Sequence, residues 1–237
     1  MEFAAQENLK AKISEIFQSV QGEGLYVGVK QVFIRFFDCP LNCAWCDTPQ
    51  SKEGEDAHFE EYTSDEVWRK ISGLWSNCHS VSLTGGEPLL QKDFIAEFLP
   101  RLKSAWITSY LETNGILHRE LAGIIDDIDI IAMDLKLPSS TQCRPFWEEH
   151  EEFLKIARKK EVFTKTVISE DTTREDVIRA AELVAGIDAE IPCVLQPNYF
   201  DNPEAVMRKC LEYQKEYSNR LKDVRIIPQV HKYLKLK

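Results

Sequence analysis

Residues 38–49 read DCPLNCAWCDTP and hold three cysteines, Cys39, Cys43 and Cys46, within eight positions. They follow directly on residues 31–37, QVFIRFF, a run rich in β-forming side chains that predicts a strand. Three cysteines are one thiolate short of a four-cysteine zinc site or of a fully ligated iron–sulfur cluster. The stretch therefore predicts a metal centre at the end of a strand, with one coordination position left for a ligand from elsewhere.

Short β-rich runs alternate with amphipathic helical patterns along the rest of the chain. This order predicts an α/β fold with a parallel sheet, either open or closed into a full or partial (β/α) barrel. In such folds, binding sites gather at the carboxyl ends of the strands. The predicted strands are residues 31–37, 79–84, 106–112, 128–136, 161–169, 190–197 and 223–229.

Several local signals bound the helices between these strands. Thr63 and Glu66 form a capping box ahead of an apolar stripe, and Thr172 is expected to begin a later helix in the same way. Asn202, which a proline follows, predicts an N-cap with proline in the first helical turn. Pro100 is expected to end or kink the helix that contains it, because proline lacks the N–H that the helical ladder needs.

A glycine pair follows the second predicted strand, in the segment TGGEP at residues 84–88. Glycines let a backbone approach a ligand closely, and Glu87 can accept a hydrogen bond from an ammonium group, although an ordinary turn explains the same residues. Other polar residues also stand at or just beyond predicted strand ends, and we expect all of them to meet on one rim. The rim residues are Cys39, residues 85–87, residues 114–115, Lys136 and Gln196.

The bulk properties set limits on the class of protein. With 237 residues the chain can form one large α/β domain, and a net charge of −10 argues against non-specific binding to nucleic acid. No stretch approaches the roughly 20 apolar residues of a membrane span, and the first residues lack the apolar core of a signal peptide. We therefore expect a cytoplasmic protein without membrane or nucleic-acid partners. Structural roles are expected for the scattered cysteines Cys78, Cys143, Cys193 and Cys210.

Arg35 is unusual because it interrupts the apolar strand before the cysteines. The alternation of a strand puts Arg35 on the face of Phe33 and Phe37, opposite Ile34 and Phe36. An arginine between two phenylalanines would be buried and would need a partner, and a substrate carboxylate suits its two-pronged guanidinium. A solvent-facing arginine is the alternative.

Taken in order, the motifs of this chain resemble those of the 7-carboxy-7-deazaguanine synthases, a family of radical S-adenosylmethionine enzymes. The cysteine spacing and the glycine pair are typical of the whole superfamily. The segment Gln21-Gly-Glu-Gly24, together with Arg35 and Thr48, narrows the resemblance to this family. The resemblance runs from about residue 13 to residue 232, and its further matching segments are residues 112–115, 134–136, 195–197 and 229–232.

This resemblance implies a fold and a reaction. The fold would be a partial (β/α) barrel of parallel strands, a single domain over residues 1–237 with a substrate-binding loop around residues 18–28. The three cysteines would hold a four-iron–four-sulfur cluster, and S-adenosylmethionine would bind its fourth iron. A 5′-deoxyadenosyl radical would take hydrogen from the carboxylate-bearing carbon of 6-carboxy-5,6,7,8-tetrahydropterin. The product would be 7-carboxy-7-deazaguanine, with loss of ammonia, in queuosine-precursor biosynthesis. A homodimer and an electron donor such as flavodoxin are also implied.

The resemblance also assigns ligands to residues by position, and it assigns no catalytic side chain beyond the cluster and the nucleotide. Thr48 would bind a magnesium ion that also contacts the substrate. Some family members place a C-terminal carboxylate near the substrate, whereas this chain continues past His231 with KYLKLK. The residues implied for the substrate are Val20, Gln21, Gly22, Arg35 and Thr84, and those for S-adenosylmethionine are Gly86, Asp134, Leu135, Lys136, Gln196, Pro197, Asn198 and Tyr199.

Two other functions compete with this one. A glycyl-radical activase shares the cysteine loop and the glycine pair, but it has no evident use for a buried arginine that binds a small carboxylate. A zinc-stabilised binding module would need a fourth ligand, which His79 or Cys78 could supply only through a tertiary contact.

Overall fold

The computed structural model of the chain describes residues 9–52 and 57–236. Within these ranges the strands all belong to one mixed sheet. They are β1 Lys10–Val20, β2 Lys30–Phe36, β3 Glu60–Thr63, β4 Ser80–Gly85, β5 Thr108–Thr113, β6 Ile130–Asp134, β7 Glu161–Ile168, β8 Cys193–Pro197 and β9 Val224–Ile226.

The sheet has the order β3-β1-β2-β4-β5-β6-β7-β8-β9. From β2 through β4 to β9 every neighbouring pair is parallel, whereas β1 pairs antiparallel with both β2 and β3. The edge strands β3 and β9 do not pair with each other, so the sheet stays open. The prediction of a partial barrel of parallel strands is confirmed, with an antiparallel extension at one edge.

Helices connect consecutive parallel strands, as is usual for crossover connections in a β/α fold. In the described part of the chain, no helix is long and apolar enough to cross a membrane. The α-helices are α1 Ser64–Leu74, α2 Lys92–Ser104, α3 His118–Ala122, α4 Pro138–Thr141, α5 Trp147–Ala157, α6 Arg174–Ile187, α7 Pro203–Ser218 and α8 Val230–Leu234. Short 3-10 helices cover Gly24–Tyr26, Pro49–Ser51, Pro88–Gln91 and Ile125–Asp127.

Strand alternation divides the side chains between an outer core and the barrel interior. On β2, Ile34 and Phe36 are buried in the core that includes the helices, whereas Phe33 and Arg35 face the interior. A smaller apolar cluster lies at the base of the interior, and the loop after β1 packs directly on it. Gly24 has a φ of +66°, and a Cβ there would lie 2.6 Å from the Phe163 ring, so this close approach requires glycine. The cluster consists of Tyr110, Ile130, Ala132, Phe163 and Val194.

All seven predicted strands are present, with ends that differ by a few residues. The third begins at Thr108 rather than 106, because Trp106 has a φ of +58°, which a strand cannot include. β1 and β3 were not predicted. In β1 only Ala11 and Ile13 are fully buried, so its apolar alternation is weak. Gln18–Val20 pair with β2, which places them in a strand before the loop at 21–29.

The structure narrows one helix prediction and contradicts another. Of the two effects expected of Pro100, ending the helix does not occur, because α2 continues to Ser104 with Leu99 and Leu102 buried in the core. Helix α6 takes its N-cap from Thr173, whose hydroxyl accepts from the Asp176 N–H, whereas the Thr172 hydroxyl accepts from the Ser169 N–H in the preceding turn. The capping box at Thr63 and the Asn202 cap are confirmed.

Candidate active site

A cavity of about 310 Å³ opens where the carboxyl ends of the central strands meet. It brings together residues that are far apart in the sequence, from the loop after β1 to the C-terminal segment. Three of the residues assigned from the resemblance lie outside its lining. The assigned residues that line the cavity are Val20, Gln21, Gly22, Arg35, Cys39, Cys43, Cys46, Thr48, Thr84, Gly86, Asp134, Lys136, Gln196 and Asn198.

The three remaining residues have other positions. Leu135 is 1% exposed and packs in the outer core, with its N–H donating to the Lys165 carbonyl. Pro197 ends β8 opposite Ile168 on β7. Tyr199 is 49% exposed and contacts the rings of neighbouring aromatic side chains at the surface. These residues adjoin the cavity in sequence, but their side chains do not line it.

The glycine pair supports the cysteine loop as well as the cavity. A Cβ on Gly86 would lie 1.9 Å from the Asp38 carbonyl oxygen, and one on Gly85 would lie 2.2 Å from the Phe36 carbonyl oxygen. The Gly86 and Glu87 N–H groups donate to those same carbonyls, at 3.0 and 2.8 Å. The pair is therefore needed because the backbone before Cys39 lies directly against it, a reason that neither the ligand nor the turn explanation from the sequence included.

The arrangement of the three cysteines differs from that of a zinc site. Four sulfurs around one zinc would lie about 3.8 Å apart, given a Zn–S distance of ~2.3 Å. Among the described residues, the one group of three potential ligand atoms that lie within 4.8 Å of one another contains no cysteine. Cys39, Cys43 and Cys46 all line the cavity. The described residues therefore contain no preformed cysteine site of the kind that the zinc-module alternative needs.

Burial raises the pKa of the Cys39 thiol, and it raises that of Cys43 to about 11, although the Lys136 ammonium acts in the opposite direction. Both groups are therefore protonated at neutral pH when no metal is bound. Only thiolates bind iron, so cluster assembly must release these protons.

Glu87 has a structural role rather than the ligand contact that the sequence left open. Its side chain is fully buried and accepts from the Leu89 N–H at 3.1 Å and the Asn114 N–H at 2.8 Å. The Thr113 hydroxyl donates to both of its oxygens. The carboxylate thus ties the end of β4 to the end of β5 and leaves no face toward the cavity.

We expect Glu87 to make stability depend on pH. Burial raises its pKa from about 4.5 to about 7, although its three donors act in the opposite direction. A raised folded-state pKa contributes stability below pH 4.5 that is lost as the pH rises through 7. Relative to Glu87→Gln, the cluster-free native protein should therefore lose on the order of 3 kcal/mol of unfolding free energy between pH 5 and pH 8. Urea unfolding of both proteins at the two pH values measures this, and a constant difference would contradict it.

Arg35 lies in the cavity wall, as the strand alternation predicts. Its Nε is 3.5 Å from Glu15 Oε2 on β1, and its guanidinium lies over the Phe17 ring at 5.5 Å. The Nε is buried and makes no hydrogen bond within the described structure. The solvent-facing alternative is wrong, and the protein supplies one partner, Glu15, that sequence reasoning missed together with β1.

A half-buried row of charges crosses the cavity from the loop after β1 to the end of β6. Lys165 on β7 forms ion pairs with Glu23 and, at 3.5 Å, with Asp134, which is itself 2.7 Å from Lys136. Burial raises the pKa of Glu23, but the Lys165 ammonium and the Gln229 amide outweigh it and lower the pKa to about 2. Glu23 is therefore a carboxylate throughout the neutral range.

Several buried polar atoms on the cavity wall have no hydrogen-bond partner among the residues that the structure describes. A buried polar atom without a partner costs free energy unless a ligand or water pairs with it. The wall therefore fits a polar ligand with both donors and acceptors, such as an amino-acid or nucleoside group. The atoms are Asn114 Nδ2, Asp134 Oδ1 and Gln196 Oε1.

Glu23, Asp47 and His231 bring three potential ligand atoms within 4.8 Å of one another. Protein cations and amides already satisfy the two carboxylates, because Lys165 pairs with Glu23 and Lys232 lies 3.4 Å from Asp47. These contacts fit a fixed polar wall better than a metal site. Thr48, beside Asp47, is the N-cap of a 3-10 helix, but its side chain makes no capping hydrogen bond.

Comparison with known proteins identifies the family. Residues 33–184 match the model of the radical SAM superfamily. A 7-carboxy-7-deazaguanine synthase of Geobacter sulfurreducens is 39% identical, over 94% of this chain and 97% of that protein. One of Archaeoglobus fulgidus is 34% identical, over 95% of this chain and 99% of that protein. The chain belongs to the 7-carboxy-7-deazaguanine synthase family. Its cofactors are accordingly a four-iron–four-sulfur cluster and S-adenosylmethionine, as in the radical SAM superfamily.

A solved structure supports the fold independently. The crystal structure of QueE from Escherichia coli superposes with a TM-score of 0.67 at 23% identity, covering 94% of this chain and 95% of that one. The curated relatives and this chain cover each other almost fully, so the family assignment extends over the described sheet and the cavity. The glycyl-radical activase alternative has no support from these relatives.

Several cavity residues were missed as site residues. Glu23 and His231 stood inside motifs that carried the resemblance, and Asp47 follows the last cysteine, so their sequence context pointed to them. Lys165 interrupts an apolar strand, which is the signal that singled out Arg35.

Proposed function

We propose that this chain converts 6-carboxy-5,6,7,8-tetrahydropterin into 7-carboxy-7-deazaguanine with loss of ammonia, as a step of queuosine-precursor biosynthesis. The observation that carries the proposal is the position of Arg35. A half-buried guanidinium, whose Nε makes no hydrogen bond among the described residues and lies 3.5 Å from Glu15 Oε2, stands in the wall of the same cavity as the three cysteines. A substrate carboxylate bound there would lie beside the metal centre, and the chain's membership of the synthase family agrees with that substrate.

The two ligands would occupy opposite parts of the cavity. S-adenosylmethionine, bound to the cluster, supplies the radical that removes hydrogen from the substrate. We assign its polar groups to Gly86, Asp134, Lys136, Gln196 and Asn198, because unpartnered atoms of Asp134 and Gln196 are found there. We also propose that the backbone atoms of Leu135, Pro197 and Tyr199 contact S-adenosylmethionine.

The substrate would lie over the apolar base, against the loop after β1. Val20, Gln21, Gly22 and Thr84 line this part of the cavity together with Arg35. The Gln21 amide is already oriented, because it donates to Gln31 at 3.0 Å and to Glu112 at 2.6 Å. A pterin presents donors and acceptors along its ring edge, and such a fixed polar wall discriminates against flat molecules that lack them.

We propose that Thr48 and the substrate carboxylate bind one magnesium ion. Magnesium prefers oxygen ligands and keeps several waters, so one hydroxyl with substrate oxygens is sufficient. The Thr48 hydroxyl is not used as a helix cap, and it stands on the cavity wall.

Thr48→Ala should lower turnover on the order of tenfold and remove most of its dependence on added magnesium, while iron content stays unchanged, because the ion orients the substrate. The measurement is product formation after chelation and stepwise addition of magnesium. Thr173→Ala, at a helix N-cap remote from the cavity, is the matched control. Full activity of the native protein with magnesium removed and iron intact would refute the proposal that a magnesium ion binds at Thr48.

Further parts of the proposal concern organisation and partners. We propose one domain, with residues 18–28 acting as the substrate-binding segment, a homodimer, and a flavodoxin-like electron donor. All seven cysteines are free thiols in the structure, and an iron–sulfur cluster on thiolates suits a reducing compartment, so we propose a cytoplasmic location.

The direct test is an assay of the anaerobically reconstituted protein with the carboxylated tetrahydropterin, S-adenosylmethionine and a reductant. We expect 7-carboxy-7-deazaguanine and ammonia in equal amounts. Cleavage of S-adenosylmethionine with no deazapurine from this substrate would contradict the proposal.

A further inference from the structure

The Gln229 side chain lies where three segments of the chain meet. These are the loop after β1, the cysteine loop and the C-terminal segment that contains Gln229. Its Nε2 donates to Glu23 Oε1 at 2.7 Å and to Asp47 Oδ2 at 3.0 Å. The side chain is 7% exposed. A primary amide has two N–H hydrogens on one nitrogen, so this contact uses all the donors that Gln229 has.

The contact joins two carboxylates that would otherwise repel each other. Glu23 and Asp47 offer oxygens within 4.8 Å of one another, and each also has a lysine partner, Lys165 and Lys232 respectively. The lysines reduce the repulsion, but neither of these ion pairs links one carboxylate to the other. Gln229 does, and it is neutral, so it adds no further charge to a half-buried group of charges.

The backbone beside Gln229 holds the same loop from a second side. The Val230 N–H donates to the Gly22 carbonyl at 2.9 Å. A Cβ on Gly22 would lie 2.3 Å from His231 Nδ1, so the imidazole packs directly on this glycine. Together these contacts press the loop that begins at Gln21 against the C-terminal segment, and Gln229 extends the connection to Asp47, next to Cys46.

We infer that Gln229 is a positioning residue that fixes the loop after β1 relative to the cysteine loop. The inference rests on the proposed function. In that function the loop holds the substrate and the cysteines hold the metal centre, so the link through Gln229 sets the distance between the two. Hydrogen abstraction requires the reacting atoms to approach within about 3–3.5 Å, so a small displacement of the loop is costly. Binding of the cluster to the cysteine loop should therefore also reduce the mobility of the loop after β1.

The first experiment compares hydrogen–deuterium exchange of residues 21–29 in the cluster-free and the reconstituted protein. In the native protein we expect cluster loading to slow this exchange on the order of tenfold, because an ordered Asp47 holds Glu23 through Gln229. In Gln229→Met, which keeps the volume but has no donor, the effect of loading should disappear. Gln229→Glu has the shape of glutamine but presents a third carboxylate, and in this variant too cluster loading should no longer slow the exchange.

The matched control is Gln214→Met. Gln214 also connects two segments through its amide, which donates to the Val224 carbonyl at 2.9 Å, but it lies outside the cavity lining. This variant should keep the native response of residues 21–29 to loading. The inference would be overturned if cluster loading slowed the exchange of residues 21–29 equally in the native protein and both Gln229 variants. It would also be overturned if Gln214→Met abolished this slowing as the Gln229 variants do.

The second readout is the ratio of 5′-deoxyadenosine released to deazapurine formed. A misplaced substrate wastes cleavage events, so the ratio should rise on the order of tenfold in Gln229→Met and stay native in Gln214→Met. A lower turnover with an unchanged ratio would show that Gln229 only supports stability. If the native protein makes no deazapurine, the proposed function is wrong. The exchange experiment needs no substrate, so it still tests whether Gln229 links the two loops.

Discussion

Cys39→Ala should abolish turnover, and we expect the iron content after anaerobic reconstitution to fall from about four atoms per chain to less than about one. Two thiolates cannot hold a four-iron cluster that also keeps one iron open for a non-protein ligand. Cys39 lies where the backbone rests on Gly86, so its sulfur enters the cavity from a fixed position. Iron analysis and the visible absorption of the cluster measure the effect.

The matched control is Cys143→Ala. Cys143 is also a free, half-buried thiol, and it follows Thr141, whose carbonyl accepts from the Ala44 N–H of the cysteine loop at 3.0 Å. This variant should reconstitute with the native iron content. Full iron and activity in Cys39→Ala would remove the cluster assignment, and loss of iron in Cys143→Ala would show that a fourth cysteine takes part.

Arg35→Lys should lower kcat/KM on the order of 100-fold or more, while binding of S-adenosylmethionine should be retained. Lysine keeps the charge but loses the planar, two-pronged donor set that pairs with a carboxylate. The shorter reach also gives up the stacking of the guanidinium over Phe17 and changes the ion pair with Glu15. Steady-state kinetics with the carboxylated pterin and a separate binding measurement for the nucleotide distinguish the two effects.

Arg225→Lys is the control for the chemistry of the substitution. Arg225 forms a two-pronged pair with Asp223 at 2.8 and 2.7 Å, but both side chains are exposed and remote from the cavity. Its kinetics should be native within about twofold, since exposed ion pairs contribute little. Native kinetics in Arg35→Lys would show that Arg35 serves only to pair with Glu15.

Much of the site could be predicted because its signals are local in the sequence. The cysteine spacing, the glycine pair and Arg35 inside an apolar strand each lie within a few residues of a strand end, and the parallel topology brings strand ends together. The α/β class and all seven parallel strands followed from the same alternation.

The remainder depends on pairing between distant segments. Strand β1 was not predicted because its partly exposed residues show little apolar alternation. Without β1, the pairing of Glu15 with Arg35 could not be predicted either. The connection between Glu23 and Gln229 joins residues 206 positions apart, so no local pattern could reveal it. The role of Glu87 stayed open because the sequence does not show which side of the strand end its side chain faces.

The claim that one cavity holds the pterin carboxylate beside the cluster-bound nucleotide is tested most directly by deuterium transfer. The substrate carries deuterium on the carbon that bears the carboxylate, and S-adenosylmethionine is recovered after several turnovers. We predict that deuterium appears in the recovered S-adenosylmethionine, because in the proposed reaction the 5′-deoxyadenosyl radical takes hydrogen from the substrate, returns a hydrogen to the rearranged product and then re-forms S-adenosylmethionine. Formation of deazapurine with no deuterium in S-adenosylmethionine or in 5′-deoxyadenosine would contradict the account.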